Sequence, residues 1–224
     1  MAADAELDTL HHQPELKHHF ENPEQQAEAA TLGMWAFLVT EVMFFGGLFA
    51  AYSLYRALYP DAFASTSQHM DVVLGGVNTA VLICSSLTMV LAVRAARLGQ
   101  QRMMILFLVA TMILGAIFLG IKGFEYEHKW AESLVPGFKF HYEPAQYARE
   151  AQILFFLYFL MTGMHAIHMI IGEGLLASLV IMAARGRFSP RWNTPVDMIG
   201  LYWHFVDIVW IFLFPLLYLI GKHK

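Results

Sequence analysis

Apolar residues run along this chain in five long stretches, roughly 31–55, 73–93, 104–124, 151–183 and 197–221, and charges, prolines and glycines collect between them. A helix needs about 20 mainly apolar residues to cross the hydrocarbon core of a bilayer, and each stretch is long enough. The runs are too continuous for the alternating strands of an outer-membrane barrel. The pattern predicts an all-α integral membrane bundle of five transmembrane helices, forming one domain over 31–221 behind a polar, acidic N-terminal tail over 1–30. Pro215 lies inside the last run, where it removes the hydrogen bond to the carbonyl of Ile211, and a kink is expected there.

Composition points the same way. Of the 224 residues, 58% are hydrophobic and 14% charged, with a mean hydropathy of +0.50, which excludes an ordinary soluble fold. Met1 to Glu28 holds seven acidic residues against Lys17 alone, so it resembles neither an Arg-rich transit peptide nor a secretory signal with a basic start. Its His11-His12 and His18-His19 pairs suggest a weak metal site or, more simply, a solvated tail. Arg94, Arg97 and Arg102 flank the second turn, and Arg185, Arg187 and Arg191 the fourth, so the positive-inside rule places both turns and the N-terminus on the cytoplasmic side, with Lys222 to Lys224 outside. The segment 125–150, rich in aromatics, charges and turn formers, is expected along the outer interface. Cys84, the single cysteine, is expected as a small core residue.

Against this apolar background a few ionisable residues stand out. Glu41 lies in Trp35-Ala-Phe-Leu-Val-Thr-Glu41-Val-Met-Phe44-Phe45, His165 and His168 in Thr162-Gly-Met-His-Ala-Ile-His-Met-Ile-Ile-Gly172, and His204 and Asp207 in Leu201-Tyr-Trp-His-Phe-Val-Asp-Ile-Val-Trp210. Ionisable groups in a bilayer are costly and face protein, water or each other. Each spaced pair sits one turn apart on a helix face, so local His165–His168 and His204–Asp207 interactions are expected. The one-turn neighbours of Glu41 are Phe37, Leu38, Phe44 and Phe45, so burial favours the neutral acid unless another helix brings a partner. Glu173, about 80° round the helix from His165, is expected near the inner end of its helix. Gly46, Gly47, Gly115, Gly120, Gly123, Gly163 and Gly172 are candidate points of close helix approach.

Three readings fit such groups. They are ligands of a metal or haem, a proton or solute route, or bonds that hold helices to each other, to a partner subunit or to lipid. Carboxylate-bridged di-iron bundles use Glu-x-x-His twice, whereas this chain offers His-x-x-His and His-x-x-Asp; two histidines on separate helices would still suffice for haem. A transporter calls for inverted repeats or paired broken helices, and none is evident. Hydrogen bonds between membrane helices average only about 0.6 kcal/mol, so specificity for one partner is the better return on five buried polar groups.

The His165–His168 and His204–Asp207 segments, with Glu41-Val-Met-Phe-Phe and Phe124-Glu125-Tyr-Glu127, resemble subunit III of the haem–copper cytochrome c oxidases. The resemblance covers 31–221 and is most specific in the last third. It implies an accessory subunit of a proton-pumping terminal oxidase, with no catalytic residue and no metal ligand of its own. Haem and copper would reside in partner subunits, and structural phospholipids would bind this one. The implied partners are oxidase subunits I and II and phospholipid, within a larger respiratory supercomplex in some settings, with no nucleic acid. The implied location is a bacterial cytoplasmic (inner) membrane. By motif, Glu41 takes the place of a buried carboxylate, and His165, His168, His204, Asp207, Glu125, Glu127 and Trp203 take polar helix-, subunit- or lipid-contact positions. A related subunit of a quinol oxidase or nitric oxide reductase, and an independent haem-binding membrane protein, remain alternatives. The mitochondrial form resembled has seven helices, and this chain starts at what corresponds to the third.

Overall fold

A computed structural model describes residues 20–67, 70–137, 140, 142, 145–189 and 192–219; the two tail histidine pairs, Arg191 and Lys222 to Lys224 lie outside them. Its elements are helices α1 (Pro23–Leu58), α2 (Pro60–Ser67), α3 (Val72–Arg97), α4 (Gln101–Ala131), a 3-10 turn (Ala145–Tyr147), α5 (Ala148–Ala184), α6 (Thr194–Phe214) and a π-helical turn (Pro215–Leu219). Five of these helices are long and apolar enough to cross a membrane.

The helices run past their apolar stretches, and several of their ends are satisfied locally. Asn22 caps α1 by accepting from the backbone of Gln25 at 2.7 Å, with Pro23 at the first turn, so α1 begins inside the polar N-terminal stretch. Asp71 caps α3 by accepting from Val73 and Leu74. Helices α3, α4 and α5 all stop in the same way. Each closes with paired backbone bonds around a left-handed residue: Gly99 (φ 69°), Ser133 (φ 58°) and Gly186 (φ 68°). Gly99 and Gly186 take this conformation without steric cost, whereas Ser133 does not.

The order of packing is cyclic: α3 lies against α4, α4 against α5, α5 against α6 and α6 back against α3. Helix α1 lies outside this ring and touches mainly α6 and α5. Its buried side chains, Leu38, Phe45 and Tyr52, recur every seven residues, a narrow seam that leaves Leu32, Val42 and Met43 outward. The core proper centres on α6, whose Trp203 and Trp210 are fully buried.

Two expectations are revised. The segment expected as an interfacial loop from 125 begins instead with two more turns of α4, because Glu125 and Lys129 share its buried face with Lys122. Cys84 faces outward rather than into the core. At Pro215 the α-helix ends and widens into the π turn, whose Leu216 carbonyl accepts from the Tyr52 hydroxyl at 2.8 Å.

Candidate functional site

The polar residues sunk in the bundle fall into three groups, each tying different helices together. In the first, α5 supplies the partner that α1 cannot. His168 Nδ1 lies 2.8 Å from the carbonyl of Met164, and Nε2 lies 3.0 Å from Glu41 Oε2. A carbonyl only accepts, so Nδ1 carries a proton, and the Nε2–Oε2 contact then holds a second one between imidazole and carboxyl. Phe45 packs edge-on against the imidazole, and the Tyr202 hydroxyl donates to the His168 carbonyl at 2.8 Å. His165 does not join His168 as expected. Its position round the helix turns it toward α4 and α6, where its ring lies between Phe118 and Trp210 and, among the described residues, neither nitrogen finds a hydrogen-bond partner.

The second group contains a residue that the sequence reading passed over. Lys122, 3% exposed, places Nζ 2.9 Å from Glu125 Oε2, 3.2 Å from Tyr158 Oη and 2.8 Å from Tyr218 Oη. Glu125 Oε1 in turn accepts from Tyr158 at 2.8 Å and from Tyr218 at 2.6 Å. The rings of Tyr126, Tyr158, Trp210 and Tyr218 surround the ammonium at 5.0 to 5.5 Å from their centroids. One buried ion pair thus joins α4, α5 and the π turn, with its remaining donors and acceptors filled. Its signal in the sequence was the three-residue spacing of Lys122 and Glu125 at the end of an apolar run. Glu127, two residues on, points to the exposed side of α4.

The third group joins α6 to α3 and corrects the expected His204–Asp207 bond. His204 Nδ1 lies 2.7 Å from Ser86 Oγ, and the buried carboxyl of Asp207 has Ser86 near it but, among the described residues, no well-formed hydrogen bond to either oxygen. The preceding serine, Ser85, accepts from Trp203 Nε1 at 2.7 Å, and Thr79 accepts from Trp210 Nε1 at 3.1 Å. Thr79, Ser85 and Ser86 of α3 therefore meet Trp210, Trp203 and His204 of α6, the two tryptophans lying two turns apart on one face. Glu173 is not at a helix end: α5 continues about three turns beyond it, and its carboxyl lies over Gly115. Among the described residues no cluster of three or more His, Cys, Asp or Glu side chains could hold a metal ion.

The sequence model of the family "Cytochrome c oxidase subunit III" matches residues 17–222. Cytochrome c oxidase subunit 3 of Thermostichus vulcanus is 32% identical over 192 residues, covering 85% of this chain and 87% of that protein. Probable quinol oxidase subunit 3 of Staphylococcus haemolyticus (strain JCSC1435) is 30% identical over 191 residues, 85% of this chain and 88% of that one. The corresponding protein of Staphylococcus aureus (strain USA300) is 28% identical over 197 residues, 88% and 91% of the two chains. The chain belongs to the cytochrome c oxidase subunit III family, and is a multi-pass membrane subunit of a multisubunit haem–copper oxidase complex.

Proposed function

We propose that this chain is the accessory, non-redox subunit of a proton-pumping terminal oxidase in a bacterial cytoplasmic membrane. It docks on the catalytic subunit I beside subunit II, stabilises it, binds phospholipid and supports its proton uptake. Haem and copper belong to the partners in this reading. The N-terminus faces the cytoplasm, as the arginines around Gly99 and Gly186 favour. The observation that carries the proposal is the use made of the buried polar residues. Glu41 bonds to His168, and the Lys122–Glu125 pair of α4 to Tyr158 and Tyr218, contacts between elements of this chain that rigidify a docking body.

The test is purification of the native complex under mild solubilisation, followed by pigment analysis of the complex and of the isolated chain. The expected outcome is co-purification with a larger haem-bearing subunit, and no stoichiometric haem or copper on the chain alone. A Soret band that stays with the pure subunit overturns the reading. Quinol as electron donor, rather than cytochrome c, is the second reading, favoured by the quinol oxidase names of several relatives. Assay of the purified complex with each donor separates the two.

A further inference from the structure

On the outer surface of the bundle, α3 and α6 enclose a groove of about 440 Å³, lined in part by Ser86, Leu87, Val90, His204, Asp207 and Ile208. Its rim is oily: Leu87 is 60%, Val90 50% and Ile208 50% exposed. Its floor is polar. Ser86 fixes His204 through Nδ1, and no hydrogen bond from the described residues reaches Nε2 of that half-buried ring. Asp207, 3% exposed, lies beside it with Ser86 near its carboxyl, and among the described residues no group completes a well-formed hydrogen bond to either oxygen. Polar groups without partners are costly in hydrocarbon, about 1–3 kcal/mol each even in soluble proteins, so the groove is incomplete as it stands.

Depth decides what completes it. Ser86 lies near the middle of the 26 residues of Val72–Arg97, and His204 and Asp207 near the middle of the 26 residues of Thr194–Leu219. At 1.5 Å per residue they are each about 15–20 Å from the nearer helix end, close to mid-bilayer. Phospholipid head groups stop about 15 Å from the midplane, so a lipid offers this site only acyl chain. Methylenes fill a groove but bond to no imidazole.

We propose that the α3/α6 groove seats a transmembrane helix of the catalytic subunit, which places a hydroxyl side chain, Ser, Thr or Tyr, against His204 Nε2. The hydroxyl follows from the bond on the other side of the ring. The Nδ1–Ser86 bond can run in either direction, so Nε2 is either donor or acceptor, and a hydroxyl is an uncharged group that serves both. This inference rests on the functional reading above and names the surface through which that reading operates.

The test uses the assembled complex. A photoreactive benzophenone side chain at Leu87 is expected to crosslink to the large haem-bearing subunit; adducts with lipid alone, or with no polypeptide, overturn the proposal. Leu87→Trp and Val90→Trp fill the groove from exposed positions without entering the core. They are expected to lower the haem recovered per chain about tenfold, equivalent to about 1.4 kcal/mol. Ile170→Trp, on the outward face of α5, leaves recovery unchanged. His204→Phe behaves like the groove-filling variants, and His204→Gln, which keeps a hydrogen-bonding amide, recovers most of the loss. Normal haem recovery from Leu87→Trp and Val90→Trp overturns the groove while leaving the functional reading intact. Absence of haem from the wild-type preparation overturns both.

Discussion

His168 Nε2 and Glu41 Oε2 are 3.0 Å apart, and this contact ties the outlying helix α1 to α5 of the four-helix ring. Around it the α1 interface is the buried seam of Leu38, Phe45 and Tyr52, flanked by partly buried Met34, Leu48 and Phe49 and by Phe37 against Tyr202, with Tyr52 also reaching the Leu216 carbonyl. A helix held by so narrow a stripe slides and rotates easily in lipid. A directional bond near its centre fixes both its depth and its rotation.

That role sets the effect of substitution at Glu41. With a proton on His168 Nδ1, a glutamine at position 41 can donate its amide N–H to Nε2, so Glu41→Gln keeps the tie. It is expected to cost less than about 0.6 kcal/mol, the average worth of a hydrogen bond between membrane helices. Glu41→Leu leaves the imidazole without its partner and is expected to cost about 1–3 kcal/mol. Thermal dissociation of the solubilised complex measures the order; equal losses for the two variants would show that shape alone matters at this position.

A larger effect is expected at the buried ion pair. Lys122→Met strands the Glu125 carboxylate among Tyr158 and Tyr218, and Glu125→Leu strands the ammonium. Breaking one side of a buried pair costs about 3–5 kcal/mol, whereas replacing both sides with well-packed apolar residues is often neutral. The Lys122→Met/Glu125→Leu double variant is therefore expected to be more stable than either single variant. Chemical denaturation in detergent, followed by tryptophan fluorescence, reads this through Trp210, which stacks on the cluster.

The membrane spans were legible in the sequence because hydrocarbon imposes one rule on every lipid-facing residue. Glu41, His165, His168, His204 and Asp207 were legible as buried polar residues for the same reason. Their partners were not. Helical spacing reveals neighbours on one helix, yet Glu41 meets a residue 127 positions away and His204 one 118 positions away. Lys122 was missed because a single lysine near the end of a 21-residue apolar stretch reads as a snorkelling side chain, and only the tyrosines of other elements show that it turns inward. Pro215 announced a lost hydrogen bond, but not the π turn that follows it or the bond its Leu216 carbonyl accepts from Tyr52, a residue 164 positions away.

The three matched helix ends give a stabilising prediction. Gly99 and Gly186 occupy the left-handed position that closes α3 and α5, while α4 places Ser133 there at φ 58°. The left-handed conformation costs an ordinary residue about 1–2 kcal/mol, part of which glycine returns as chain entropy. Ser133→Gly is expected to raise stability by up to about 1 kcal/mol, and Ser133→Val to lower it, since a β-branched residue fits this region worst. Midpoints of denaturant unfolding compare the three side chains directly.

Glycines supply the last prediction, because the bundle divides those expected at helix contacts into two kinds. A Cβ on Gly172 would lie 2.9 Å from Trp203 Cζ3, and one on Gly115 would run first into Glu173 Oε1 and then lie 2.8 Å from Trp203 Cη2, so Gly172 makes room for the buried indole and Gly115 for the indole and the Glu173 carboxyl together. Among the described residues Gly46, Gly47, Gly120 and Gly123 meet nothing within 4 Å and face outward, so they make no close helix approach within this chain; Gly163 meets only the Tyr126 hydroxyl at 3.8 Å. Trp203 cannot retreat easily, since its Nε1 is bonded to Ser85 and its ring is fully buried. Gly172→Ala and Gly115→Ala are expected to cost about 1–3 kcal/mol through overpacking. Gly120→Ala should be neutral or stabilising by up to about 1 kcal/mol, the intrinsic preference of a helix for alanine. Any large loss at Gly120 in the assembled complex, combined with neutrality in the isolated chain, would locate a partner helix against the outer face of α4.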